Sequence, residues 1–181
     1  PHAPPDHVKT STDHRPDDTR REIVLAAINA RYRHTAFGLR YLMANLGPLQ
    51  SRAALVETQI KQPADAIADE ILAKEPTLVG LGVYVWNAVR ALEVVRALRA
   101  RRPELVIALG GPEVSHEWEA QEIVALADYT LTGEGEAAFR ALCDAVLSGR
   151  RPEARIQHGG TVALDTLTLP YDLYTDEDLA H

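Results

Sequence analysis

The chain has 181 residues, 46% hydrophobic and 25% charged, an ordinary composition for a domain able to bury a core without disulfide staples. Its 19 basic residues against 26 acidic ones leave a net charge of −7, which argues against a nucleic-acid binder with a basic face. One cysteine, Cys143, excludes an internal disulfide and a multi-thiolate metal site, and no apolar run approaches the roughly 18 residues of a membrane span.

Residues 1–21 hold four prolines, four acids, four bases and a single large aliphatic, Val8. Such a stretch cannot bury enough apolar surface to offset its ordering entropy, so it is expected to be a disordered leader. Its histidines, His2, His7 and His14, read as solvated. No signal-peptide pattern is visible, and the expected compartment is the cytoplasm.

From residue 22 the rhythm changes. Ile23 to Ile28 is nearly continuous apolar sequence, as in a strand buried on both faces. Leu39, Leu42, Met43 and Leu46 follow at helical spacing, with Thr35 as the candidate N-cap and Gly47-Pro48 as a stop. Ala53 to Val56 reads as a second strand. Ala64, Ile67, Ala68, Ile71 and Leu72 mark the next helix, and Leu78 to Val85 the third strand. Asn87 can cap a helix carrying Ala88, Ala91, Leu92, Val95 and Leu98. Leu105 to Leu109 is a fourth strand, residues 117–125 a weak helix, and Tyr129 to Leu131 a short fifth strand. Phe139, Leu142, Cys143, Val146 and Leu147 mark a last helix closed at Gly149.

Strands alternating with helices imply an α/β domain over residues 22–150, a doubly wound parallel sheet of five strands with right-handed crossovers. Its size suggests the Rossmann-like, flavodoxin-like order 2-1-3-4-5. Residues 151–181 differ. Ile156 to His158 and Thr161 to Ala163 flank Gly159-Gly160 and read as a hairpin. The end carries four acids and no lysine or arginine after Pro170, as in a linker.

Ligands of such sheets sit at the carboxyl ends of the strands, near the switch between strands 1 and 3. The first loop, Asn29 to Thr35, lacks the acidic pair of a phosphoacceptor, the glycines of a dinucleotide site, and a P-loop. It offers Asn29, Arg31, Tyr32, His34 and Thr35 as donors to phosphate or amide groups, whereas Arg33 reads as solvated. Gly133-Glu134-Gly135-Glu136-Ala137-Ala138 matches the dinucleotide fingerprint G-x-G-x-x-A, but it follows the last strand and would set two carboxylates against a pyrophosphate. Gly110-Gly111 and Gly133, Gly135 are either tight turns or the walls of a slot where a planar ligand meets bare backbone. Tyr84 and Trp86 end strand 3, buried by a neighbouring loop or waiting for a ligand to cover them. Glu134 and Glu136 either bind ligand donors or favour a helix N-terminus. His116 reads as a surface residue.

The segments INARYRHTAFGLRYLMANLG, GLGVYVWN, ALGGPEVS and TGEGEAAF, each at a strand end and in this order, resemble the N-terminal cobalamin-binding domain of B12-dependent radical SAM enzymes. That group includes anaerobic magnesium-protoporphyrin IX monomethyl ester cyclase and cobalamin-dependent methyltransferases. The resemblance implies a corrin over the strand ends and a nucleotide tail in the sheet crevice. By position, Asn29, Arg31 and Tyr32 would border the lower corrin face. Tyr84, Val85, Trp86 and Asn87 would flank corrin and tail. Gly110, Gly111, Pro112 and Glu113 would line the tail slot, and Gly133, Glu134, Gly135 and Glu136 would close the rim. It implies S-adenosylmethionine and a 4Fe–4S cluster in the full-length enzyme, and a radical SAM domain of the same polypeptide as partner.

Two departures bear on mechanism. Many B12 domains use D-x-H-x-x-G to give cobalt a histidine, and no D-x-H occurs here. Arg31 stands near that place, and a guanidinium has no lone pair to donate. Cobalamin is therefore expected without a histidine ligand. One cysteine also cannot supply C-x-x-x-C-x-x-C, so this stretch is expected to hold cofactor rather than to catalyse alone. The alternative is a degenerate flavodoxin-like module that binds a partner and no corrinoid.

Overall fold

A computed structural model describes residues 20–30, 36–160 and 163–176. Strands β1 (Ile23–Asn29), β2 (Ala53–Gln59), β3 (Leu78–Gly82), β4 (Val106–Gly110), β5 (Tyr129–Thr132) and β6 (Ile156–His158) form one sheet in the order 2-1-3-4-5-6. Every neighbouring pair is parallel. The helices between them are α1 (Phe37–Ala44), α2 (Ala64–Leu72), α3 (Ala88–Arg101), α4 (Glu122–Leu126) and α5 (Glu136–Leu147).

Side chains alternate across the strands and build two cores. Val24, Ile28, Val79, Leu81, Ile107 and Leu109 pack with α2, α3 and α4. Ile23, Leu25, Leu78, Val106, Tyr129 and Leu131 pack with α1 and α5 on the opposite face. Burial on both faces is why β1, β3 and β4 read as continuous apolar runs.

The expected five strands are corrected to six. Ile156–His158 does not turn back on itself but runs parallel to β5, with Thr130 opposite Ile156 and Thr132 opposite His158. The Gly159 amide donates to Thr132 O at 2.8 Å, and a Cβ on Gly159 would collide with the Glu134 carbonyl. That glycine serves close approach of two backbones rather than a hairpin turn. Thr161 and Val162, the expected return limb, lie outside the described residues.

At helix α1 the described N-cap position carries no hydroxyl. Its N-cap position is Ala36, with no capping side chain; Thr35 lies outside the described residues. Glu57 on β2 takes over, accepting the Ala36 amide at 2.7 Å and pairing with the buried Arg40 guanidinium at 2.8 and 2.9 Å. Arg40 also lies 4.9 Å from the Tyr174 ring centroid. The C-terminal stretch is thereby tied to α1, a tie reinforced by Asn45, which exchanges two hydrogen bonds with the Thr168 backbone at 2.9 and 3.0 Å. Among the described residues, no helix is long and apolar enough to cross a membrane.

Candidate functional site

Two helices, α1 and α5, cover the face built on Leu25 and Leu131, and between them the carboxyl half of the sheet is left bare. A groove of about 170 Å³, partly open to solvent, runs down there. Its floor is written in alternate positions of two strands: Gly80 and Gly82 on β3 stand opposite Ala108 and Gly110 on β4. Leu39 and Leu42 of α1 form one wall, Leu131 and Phe139 the other. The crevice was expected at the switch between β1 and β3. Among the described residues this groove lies over β3, β4 and β5, while β1 presents Leu25 and Ala27, which pack in one cluster with Leu39.

The glycines divide by cause. At Gly111 the backbone has φ +109°, and a Cβ would strike the Val83 carbonyl. At Gly133 φ is +76°. Both are demanded by the chain's own turns. Gly80 is demanded by packing, since a Cβ there would fall 2.9 Å from the Phe139 ring. Gly110 is different. Its φ is ordinary, and a Cβ would find nothing nearer than Leu131 O at 4.0 Å. Neither the backbone nor the neighbours require a glycine there, so its missing side chain only keeps the groove open.

At the mouth, Tyr84 lines the groove, and Trp86 stacks on it with ring centroids 4.5 Å apart and planes at 11°. Trp86 remains 52% exposed and Val85 77% exposed. Asn87 is not free to meet a ligand as expected, nor does it cap α3 with its side chain. It is buried: its Oδ1 accepts the Tyr84 amide at 2.9 Å, and its Nδ2 donates to Ile28 O at 3.1 Å and Gly82 O at 3.2 Å. One amide thus ties the ends of β1 and β3 to the loop that carries both aromatics.

Of the other expected residues, Gly110, Gly111, Gly133, Gly135 and Glu136 line the groove. Asn29 ends β1 at the rim without lining it. Pro112 and Glu113 do not line it either. They belong to a one-turn 3-10 helix, Pro112–Val114, whose Glu113 amide points back to Val83 O. Glu134 is exposed beside the groove. Arg31, Tyr32, His34 and Thr35 lie outside the described residues, as does Arg33.

Missed from the sequence were Gly38, Gly80, Gly82, Ala108, Leu131 and Phe139 as lining. The signal available was Gly80-Leu81-Gly82 beside Ala108-Leu109-Gly110, small residues two apart on neighbouring strands. Cys143 lies one turn beyond Phe139 on α5, with burial pushing its thiol up to about 12, so it is inert. Among the described residues no group of three or more His, Cys, Asp or Glu gathers that could hold a metal ion.

The B12 binding domain family matches residues 23–143, two thirds of the chain, from the start of β1 into α5. TokK of Streptomyces tokunonensis, a cobalamin-dependent radical SAM methyltransferase, is 36% identical over 90 residues, 48% of this chain and 12% of that protein. The 2-(S-pantetheinyl)-carbapenam-3-carboxylate methyltransferase of Streptantibioticus cattleyicolor is 32% identical over 93 residues, 47% of this chain and 13% of that protein. The aligned stretches thus span only about an eighth of these relatives' length. Among solved structures, a cobalamin-binding protein from Desulfitobacterium hafniense superposes with TM-score 0.51 at 26% identity, over 71% of this chain and 60% of that one. TsrM from Kitasatospora setae, solved with cobalamin and a 4Fe–4S cluster bound, shares the fold with TM-score 0.57 at 17% identity, over 82% of this chain and 31% of that one. The bare groove at the sheet's carboxyl edge and the family match agree: this chain belongs to the B12 binding domain family.

Proposed function

We propose that this domain carries cobalamin for a radical SAM methyltransferase, with the corrin on the carboxyl rim and the nucleotide tail lowered into the groove between α1 and α5. The observation that carries this reading is Gly110, a glycine that neither fold nor packing requires, in the floor of a groove walled by Leu39, Leu42, Leu131 and Phe139. Bound cobalamin supplies a cobalt centre able to accept and give up a methyl group. The chain's own residues hold and orient it. Leu39, Leu42, Leu131 and Phe139 exclude water from the tail. Tyr84 and Trp86, held by Asn87, give an apolar rim for the corrin edge. In this reading Asn29, Arg31 and Tyr32 border the lower face from the first loop, and Gly133, Glu134, Gly135 and Glu136 close the rim beyond β5.

The reading places no histidine on cobalt. Among the described residues no histidine lines the groove. His116 is exposed, and His158 sits with its Nδ1 2.8 Å from Thr132 Oγ1 at the outer strand. The names of the curated relatives favour methyl transfer over ring formation on a porphyrin-like substrate. S-adenosylmethionine and the 4Fe–4S cluster belong, in this reading, to a radical SAM domain of the same polypeptide.

The test is to mix purified protein with hydroxocobalamin, desalt, reduce to cobalt(II) and record absorbance and paramagnetic resonance. Retained corrinoid without nitrogen splitting is the expected result. Splitting from an imidazole would refute the histidine-free coordination. Loss of all corrinoid on desalting would refute binding itself and favour the partner-binding alternative.

A further inference from the structure

The groove is chemically uneven along its depth. Among the described residues its polar side chains are Tyr84 and Glu136, and both stand at the mouth: Tyr84 lies beyond the end of β3, and Glu136 opens α5 about one turn above Phe139. Deeper in, the walls are Leu39, Leu42, Ala108, Leu131 and the Phe139 ring, which closes the floor against Gly80. The backbone there is already engaged. Strands β3 and β4 pair along Leu78 to Gly82, and Gly110 O accepts the Val83 amide at 2.8 Å. A heterocycle pushed to that depth therefore meets, among the described residues, side-chain carbon and strand backbone already paired along β3 and β4, and its own polar atoms lose water with few partners to gain.

Resting on the cobalamin reading, we infer that this groove selects among corrinoids by the polarity of the base on the nucleotide tail. It accepts a benzimidazole or phenolic base and disfavours a purine. Dimethylbenzimidazole brings one free ring nitrogen and two methyl groups. Adenine brings several ring nitrogens and an amine, each a group to be buried unpaired. An unpaired buried donor or acceptor costs roughly ten- to a hundredfold in affinity.

The experiment titrates the protein with four corrinoids and reads quenching of tryptophan fluorescence, checked by retention through desalting. The four are cobalamin, a phenolic-base cobamide, an adenine-base cobamide and cobinamide, which has no nucleotide. Cobalamin and the phenolic cobamide should each bind at least tenfold tighter than the adenine form. Adenine is the weaker cobalt ligand and is displaced more readily, so that bias works against the expected order. An adenine form that binds as tightly as cobalamin overturns the inference while leaving cobalamin binding intact. Cobinamide matching cobalamin shows that the groove is not used and overturns it too. Failure of all four to bind overturns both this inference and the functional reading beneath it.

Discussion

Replacing Gly110 separates the groove's role in binding from its role in folding. Gly110→Ala adds a Cβ 4.0 Å from its nearest neighbour, at a strand residue with ordinary φ. Alanine there should stabilise the fold by about 0.5–1 kcal/mol through reduced chain entropy. For a chain of this size that is a rise of roughly 1–4 °C in Tm. Gly110→Leu pushes a branched side chain into the path of the tail while leaving the walls folded. A benzimidazole of about eleven heavy atoms, at roughly 0.3 kcal/mol each, contributes about 3 kcal/mol. Its exclusion should weaken cobalamin about a hundredfold. Thermal melts and corrinoid titrations of the three proteins measure both quantities, with cobinamide as control, since it has no tail to exclude. If Gly110→Leu melts normally yet binds cobalamin like the parent, the tail does not enter over β4 and the reasoning from the missing side chain fails.

Two other outcomes follow from the same geometry. Asn87→Ala removes the amide joining Ile28 O, Gly82 O and the Tyr84 amide. It should cost about 1–3 kcal/mol, seen as a lower Tm, and loosen the Tyr84–Trp86 stack, seen as a change in Trp86 emission; an unchanged melt would remove Asn87 from this role. Cys143 should resist a thiol reagent in the native protein and react only at the rate of unfolding. Its thiol pKa is raised to about 12 by burial, above the ordinary value near 9. The stability this contributes is therefore fully present below pH 9 and is lost as pH rises from about 9 to 12. Rapid labelling of folded protein at pH 8 would show the side chain to be accessible.

The α/β alternation and five of the six strands were legible because burial on both faces leaves a mark in the chain itself, namely unbroken apolar runs such as Ile23 to Ile28. The helical faces of α2 and α5 were legible for the matching reason, their 3.6-residue period. β6 was not. It is three half-exposed or exposed residues, and its partner, β5, is reached only after α5 and a return across the sheet's other end. The start of α1 was misplaced because its cap, Glu57, comes from another strand, 21 residues away.

The site shows the same division. Which residues could approach a ligand as bare backbone was written in the sequence at Gly110 and Gly111, and so was the lack of a D-x-H ligand. Only the folded sheet could tell that Gly111 is glycine for its own turn, Gly80 for Phe139 and Gly110 for neither. Only the strand register could set Gly80 and Gly82 beside Ala108 and Gly110 as one floor. A sequence fixes which side chains are small; whether the space they leave is filled depends on what other elements bring against it, and that is a property of the packed chain.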